Sequence, residues 1–328
     1  MGINTNLLNR IARENTKYGF NAKEIEEFIT IPRSQFRCRQ KKANKIIEGI
    51  IKRHGKGELV RYLDRLATVE YNIREIEPWV RDHDVHALLT FLLGVFINEH
   101  FLNQIVDPFQ WKLAGLFHDV GYPAEIANNI LKRYTDQLKI SGQDDTRLAY
   151  FRVAPVDLDV LTNDVKSLDL IQKELNNWGL TVDAKNVCTN MVESRKMCHG
   201  IISSLSVLYM IDLLYQQEKW DQRDFENDVV PACAAIFVHN LPTRCFESAK
   251  LDQNRAALPY LLRLSDCLQD WERPSAENHE GLSDSGFDID AQDGRLIFKV
   301  AYPNRRHKIM KEIESVISDP NNNIEITV

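Results

Sequence analysis

The chain has little of what marks a secreted, fibrous or membrane-spanning protein. No stretch reaches the about 18 uninterrupted apolar residues of a spanning helix. The opening MGINTNLLNRIARENTKYGF scatters its charges and lacks the basic, apolar and small-residue blocks of a secretory signal. With only 14 glycines and 11 prolines among 328 residues, collagen-like and low-complexity chains are excluded. Its six cysteines, Cys38, Cys188, Cys198, Cys233, Cys245 and Cys267, form no CxxC pair, which argues against a thiolate zinc site and for free thiols in a reducing compartment. A cationic excess is also missing. The net charge of −6 argues against a protein dedicated to coating nucleic acid, so nucleic acid is a disfavoured partner, although a local basic patch stays open. What remains, at 44% hydrophobic and 27% charged residues, is an ordinary globular composition, expected to be soluble and cytoplasmic with no membrane partner. The opening Met-Gly is a poor myristoylation start, because Thr5 falls one place short of the usual hydroxyl position.

What is present is helical periodicity. Residues 5 to 70 alternate apolar and charged positions with breaks near Gly19, Pro32 and Gly55, which predicts three or four amphipathic helices. Between Arg33 and Lys56 runs a basic series, Arg33, Arg37, Arg39, Lys41, Lys42, Lys45, Lys52, Arg53 and Lys56, read first as a solvated helix face and second as a surface for phosphates. From Asp84 to Val106 the chain is apolar nearly all round, the pattern of a helix buried within a domain. His83, His86 and Thr90 draw a polar line along it, and buried polar groups need partners that a metal or cavity can supply. A short apolar helix over Gln110 to Asp119 is expected to stop at Gly121 and Pro123, with His118 and Asp119 in its last turn.

Residues 140–186 are richer in Asp, Asn and Thr and read as an insertion or lid. A long helix is predicted from Asn186 to about Trp220, carrying Arg195, His199 and Ser203 on one stripe, with Gly200, Ser203, Ser204 and Ser206 admitting a close neighbour. Helices from Pro231 to His239 and from Pro259 through Asp266 follow. After residue 280 the segment FDIDAQDGRLIFKV predicts a hairpin about Asp293-Gly294, then a helix at 304–318 and a strand in IEITV. The expected fold is mainly α: an N-terminal helical segment (1–79), a metal-binding helical domain (80–275) and a small C-terminal α+β tail (276–328).

A dinuclear metal site wants several histidines and two carboxylates from different helices. His86, the adjacent pair His118 and Asp119, His199, His239 and Asp266 offer that set on five predicted helices. Neighbouring helix residues diverge by about 100 degrees, so His118 can bind one ion while Asp119 reaches between two.

In this order the residues resemble the HD-domain superfamily of metal-dependent phosphohydrolases, in its dinuclear branch. The strings RDHDVHALLTFLLG, LAGLFHDVGYP, CHGIISSL, AIFVHNLP and LPYLLRLSDCLQDW carry the likeness over residues 80 to 272. Tyr122, Pro123 and Glu125 after the His-Asp pair are similar to a bacterial group with an added glutamate, labelled HD-CE. The resemblance implies an HD-type helical bundle, two divalent ions (Mn, Fe, Co or Zn) and hydrolysis of a phosphoester by metal-activated water. It implies that Asp119 bridges, that His86, His118 and Asp266 serve one ion, and that His199 and His239 serve the other. A small-molecule phosphoester, a nucleotide above all, is the implied substrate. The later histidine motif lacks the Gly-Tyr-Pro of cyclic-di-GMP phosphodiesterases, so that substrate is disfavoured.

Six further roles are expected beside the ligands. Glu125 is a general acid or a hydrogen-bond acceptor for a ligand, and Arg195 a bidentate phosphate contact. His83, Tyr122, Lys132 and Arg133 are candidate substrate contacts. Each has a plainer reading: a satisfied core histidine, a salt bridge, a solvated helix face. Two other functions stay open, an iron oxygenase such as myo-inositol oxygenase, which shares this ligand set, and a nucleotide-sensing module with little turnover.

Overall fold

The computed structural model describes residue 11 and residues 18–32, 35–60, 82–140, 159–194, 196–269, 288–300, 303–318 and 320–327. Two amphipathic helices open them, α1 (Ala22–Thr30) and α2 (Phe36–Lys52), which bury Ile25, Phe28, Ala43, Ile46, Ile47 and Ile50. Asn21 caps α1 by accepting the Lys23 N–H. Much of the basic series is used locally. Arg39 lies buried over the Phe28 ring and donates to Ile31 O, Lys42 pairs with Glu27, Lys52 pairs with Glu48, and Arg53 donates to Gly19 O. Lys41 and Lys45 face solvent, while Arg33 lies outside the described residues.

The apolar run becomes α3 (His83–His100), capped by Asp82 and buried from His83 through Asn98. Asp107 caps α4 (Pro108–Phe117), whose Trp111 donates from Nε1 to Phe91 O of α3 at 3.1 Å. The expected stop holds, two residues early at Phe117, but Pro123 plays a different part. Pro123 stands in the first turn of α5 (Tyr122–Ile140), where its missing N–H removes nothing the helix uses, and His118 and Asp119 fall in the turn between α4 and α5.

Within the expected insertion or lid, residues 167–177 are helical. They form α6 (Ser167–Asn177), which packs Ile171 and Leu175, both fully buried, against the core; residues 141–158 of the expected insertion lie outside the described residues. The expected single helix from 186 to 220 is also corrected. It is two, α7 (Ala184–Ser194) and α8 (His199–Glu218), with Cys198 extended before α8. In an unbroken helix the His199 N–H would bond the carbonyl four residues back. At the start of α8 it is instead an orphan donor, and Glu125 of α5 takes it.

α8 ends at Lys219 in the left-handed conformation, and a short helix (Gln222–Asp224) and a π-turn (Phe225–Val229) lead into α9 (Val230–His239). Pro231 explains the π-turn. It has no N–H to give the Asn227 carbonyl, and Gln110 Nε2 fills that place at 2.9 Å. Small residues bring α8 and α9 together as expected: Ser204 donates to Cys233 O, and a Cβ on Gly200 would lie 3.0 Å from the His239 ring. α10 (Ala257–Leu268) completes the helical core.

The predicted hairpin is β1 (Asp288–Gln292) with β2 (Arg295–Lys299), turning at Asp293 and Gly294, both at positive φ. α11 (Pro303–Val316) crosses over so that β3 (Ile324–Thr327) pairs parallel to β2. This unit docks on the helical core through α11 and through backbone bonds at Leu251, whose N–H meets Val316 O and whose O meets Ser318 N–H. The chain is thus mainly helical with a small three-stranded sheet near its C-terminal end. No single helix among the described residues is long and apolar enough to cross a membrane.

Candidate metal centre

Four histidines stand at helix ends, and all four present Nε2 to one carboxylate. His86 lies in the first turn of α3, His118 caps the C-terminal end of α4, His199 begins α8 and His239 ends α9. Asp119 Oδ2 lies 3.6 Å from His86 Nε2 and 3.5 Å from His118 Nε2. Its Oδ1 lies 3.3 Å from His199 Nε2 and 3.6 Å from His239 Nε2. Asp266 of α10 joins the first pair, with Oδ1 3.0 Å from His86 Nε2 and 3.9 Å from His118 Nε2. The six residues form three overlapping groups, each with donor atoms within 4.8 Å of one another.

The other edge of every ring is held by an oxygen. His118 Nδ1 donates to Gly115 O at 3.0 Å and His239 Nδ1 to Ile236 O at 2.6 Å, each one turn back on its own helix. His86 Nδ1 donates to Gln269 Oε1, and His199 Nδ1 donates to Glu125 Oε2 at 2.8 Å. The Asn240 side-chain amide nitrogen lies 3.1 Å from the same His199 nitrogen. An N–H on Nδ1 leaves the lone pair on Nε2, the tautomer a metal-binding imidazole needs.

This arrangement fits a cation. His86 and His118 bring Nε2 atoms to 3.3 Å, two lone pairs face to face in a buried place. Two ligands on one ion, at metal–donor distances of about 2.0–2.2 Å, stand about 3 to 3.4 Å apart, which is the spacing found here. His239 Nε2 is buried without a hydrogen-bond partner, the condition of a donor atom aimed at an ion. Buried His/Asp groups of this chain can therefore hold a divalent metal.

Charge follows the same design. Burial opposes ionisation of Asp119, yet the facing imidazoles of His118, His199 and His239 outweigh it and hold the carboxyl well below its ordinary value. Burial likewise lowers His199, but Asp119 and Glu125 overcome it and raise the imidazole to about 9. His239, buried and beside two other imidazoles, is lowered.

The remaining expected residues divide. Glu125 sits at the centre as an acceptor for His199. His83 and Tyr122 lie in contact at its edge, ring centroids 3.8 Å apart and planes tilted by 34°, and Tyr122 meets the His199 ring edge-on at 5.2 Å. Lys132 and Arg133 are exposed on α5, about 10 Å of helix beyond Glu125. The stripe that put Arg195 beside His199 does not survive the break between α7 and α8, and Arg195 itself lies outside the described residues. Gln269, Asn240 and Arg263 were missed. Gln269 and Arg263 stand three residues either side of Asp266, a spacing that could have drawn attention to them once Asp266 was in the set.

Close approach sets the Glu125–His199 contact. Gly121 donates its N–H to Ser203 Oγ at 2.8 Å, and a Cβ there would sit 2.6 Å from Ser203 N. Only glycine lets the α4–α5 turn lie against the first turn of α8. Comparison of the chain with protein-family models, with curated proteins and with solved structures finds no match.

Proposed function

We propose that the chain is a metal-dependent phosphohydrolase that cleaves a phosphoester of a nucleotide-type substrate. The observation that carries the reading is the division of Asp119, one oxygen facing His86 and His118 and the other facing His199 and His239. A carboxylate shared in this way suits two ions side by side. Asp266, 3.0 Å from His86 Nε2 and 3.9 Å from His118 Nε2, joins the first set, Asp119, His199 and His239 make the second, and a group of His118, His239 and Asp266 links the two. Divalent ions, if held by these residues, would supply Lewis-acid chemistry and a water acidified toward neutrality.

The chain's own residues supply the rest. Gln269, Gly115, Ile236 and Glu125 fix the four imidazoles, so the centre is organised before a substrate arrives. Apolar packing on α3 and α9 buries His86 and His239, while Asp266, His199 and Glu125 are the partly exposed members of the centre. On this reading Tyr122, partly exposed and backed by the buried His83 ring, contacts the part of the substrate beyond the phosphate.

The test is phosphate or nucleotide release from a panel of nucleotides and cyclic nucleotides, with apo protein reloaded with manganese or iron. Metal-dependent release that disappears in Asp119→Ala supports the proposal. Stoichiometric metal uptake with no release from any substrate sinks it, and oxygen consumption by the iron-loaded protein would replace it with the oxygenase reading.

A further inference from the structure

α10 and its C-cap carry three polar residues at three-residue steps, Arg263 and Asp266 on the helix and Gln269 just past its end. Gln269 holds His86 Nδ1 and Asp266 faces His86 Nε2, so two of the three act directly on the centre. Arg263 touches no ligand atom. Its guanidinium, on a side chain buried to 6% exposure, donates from Nη1 to the backbone carbonyl of His239 and from Nη2 to Glu312 Oε1 at 3.1 Å. Glu312 belongs to α11, in the C-terminal α+β unit.

His239 is the last residue of α9, and its carbonyl is one of the acceptors that a helix leaves unbonded at that end. A cationic donor there satisfies the carbonyl and opposes the partial negative charge of the helix terminus. The His239 ring is tied to the same turn, through Nδ1 to Ile236 O, and Gly200 backs it closely. Fixing the carbonyl therefore fixes where Nε2 points.

We infer that Arg263 is a positioning residue for the metal centre. It clamps the last turn of α9 so that His239 presents Nε2 to Asp119, and Glu312 orients the clamp. The inference rests on the metal-centre reading and extends it: the C-terminal unit contributes to cation binding without supplying a ligand. The ion most exposed to loss of the clamp is the one set among Asp119, His199 and His239.

Cobalt(II) titration of the apo full-length protein, read by visible absorption and elemental analysis, tests this in wild type, Arg263→Ala and Glu312→Gln. The expected result is two ions in wild type, with the second step weakened about 10- to 100-fold in Arg263→Ala and the first unchanged. Millimolar methylguanidinium restores that second step. Glu312→Gln, changed at a partly exposed side chain, shifts the same step in the same direction by less and leaves the apo melting temperature in place. Two ions bound with wild-type affinity in both variants would overturn the inference, as would equal weakening of both steps, which marks a general structural role. Failure of the wild type itself to take up two ions overturns the underlying reading, an outcome separate from a defect confined to the variants.

Discussion

Glu125 Oε2 accepts two hydrogen bonds from His199, one from the backbone N–H and one from ring Nδ1, each at 2.8 Å. One carboxylate oxygen thereby fixes both the start of a helix and the bearing of the imidazole on its first residue. Glu125→Gln keeps the size but removes the charge, and its amide competes for the ring proton with the wrong polarity on one side. Affinity for one of two bound ions is expected to fall about 10- to 100-fold, read by manganese binding calorimetry. Unchanged affinity would mean that Glu125 is free for another role, such as proton donation.

Removal of the shared carboxylate acts on both halves of the centre. Asp119→Asn is expected to abolish uptake of at least one ion and to lower hydrolysis by three orders of magnitude or more, roughly the scale of a lost electrostatic catalyst. Elemental analysis beside a release assay checks both parts.

Proton release accompanies metal uptake. With His199 raised to about 9, the apo protein carries a proton on that imidazole at neutral pH, and an ion must displace it. Metal affinity is expected to climb by about tenfold per pH unit from pH 7 toward 9 and then level, and calorimetry in buffers of different ionisation enthalpy should count about one proton released. The metal-free fold responds in the opposite sense. A histidine whose folded value exceeds its unfolded value lends stability that is complete below about 6.5 and is lost as pH rises through about 9.

Lys112 is a second, independent pH probe. It is 2% exposed, its Nζ meets only neutral His54 Nδ1 at 3.0 Å among the hydrogen bonds described, and burial lowers it to about 8. Its folded value lies below its unfolded one, so stability from the neutral amine is present above about 10.5 and lost as pH falls through about 8. Lys112→Met is expected to stabilise the protein at pH 7 on the order of 1 kcal/mol, an advantage that shrinks between pH 8 and 10 in thermal melts.

Gly121→Ala tests the close approach of α5 and α8. The added methyl meets Ser203 N and His199 O, backbone atoms that cannot swing aside. A cost of about 1–3 kcal/mol is expected, read by calorimetric melting of the apo protein, with weaker metal binding as Glu125 is pushed from His199.

What the sequence made legible is the set of residues that meet, and the reason is periodicity. His86 stood out as a polar residue on an apolar helix, and the Asp293-Gly294 turn announced the hairpin by its need for positive φ. What it concealed are features decided by single tertiary contacts. The break before His199 depends on Glu125, 74 residues earlier in the chain, and no local pattern registers that bond. Pro123 reads equally as the end of one helix or the start of the next, and the four-residue turn between α4 and α5 decides it. The stretch around Ile171 looks polar in composition, yet its two inward residues are enough to seat α6 in the core. Gln269 and Arg263 act through the ligands' far edges, where residue type alone gives no hint of the partner.

Placing the four histidines of the centre at helix ends gives the helical core one end that holds the His/Asp cluster and one that does not. α8 runs its 20 residues, about 30 Å, from His199 to the left-handed turn at Lys219, and α9 runs back again to His239. The connection over residues 219–221 is therefore as far from the chemistry as this helix pair allows. A tag, a fluorophore or an inserted domain belongs there, whereas the same addition between Ser194 and His199 would move a ligand with every residue it adds.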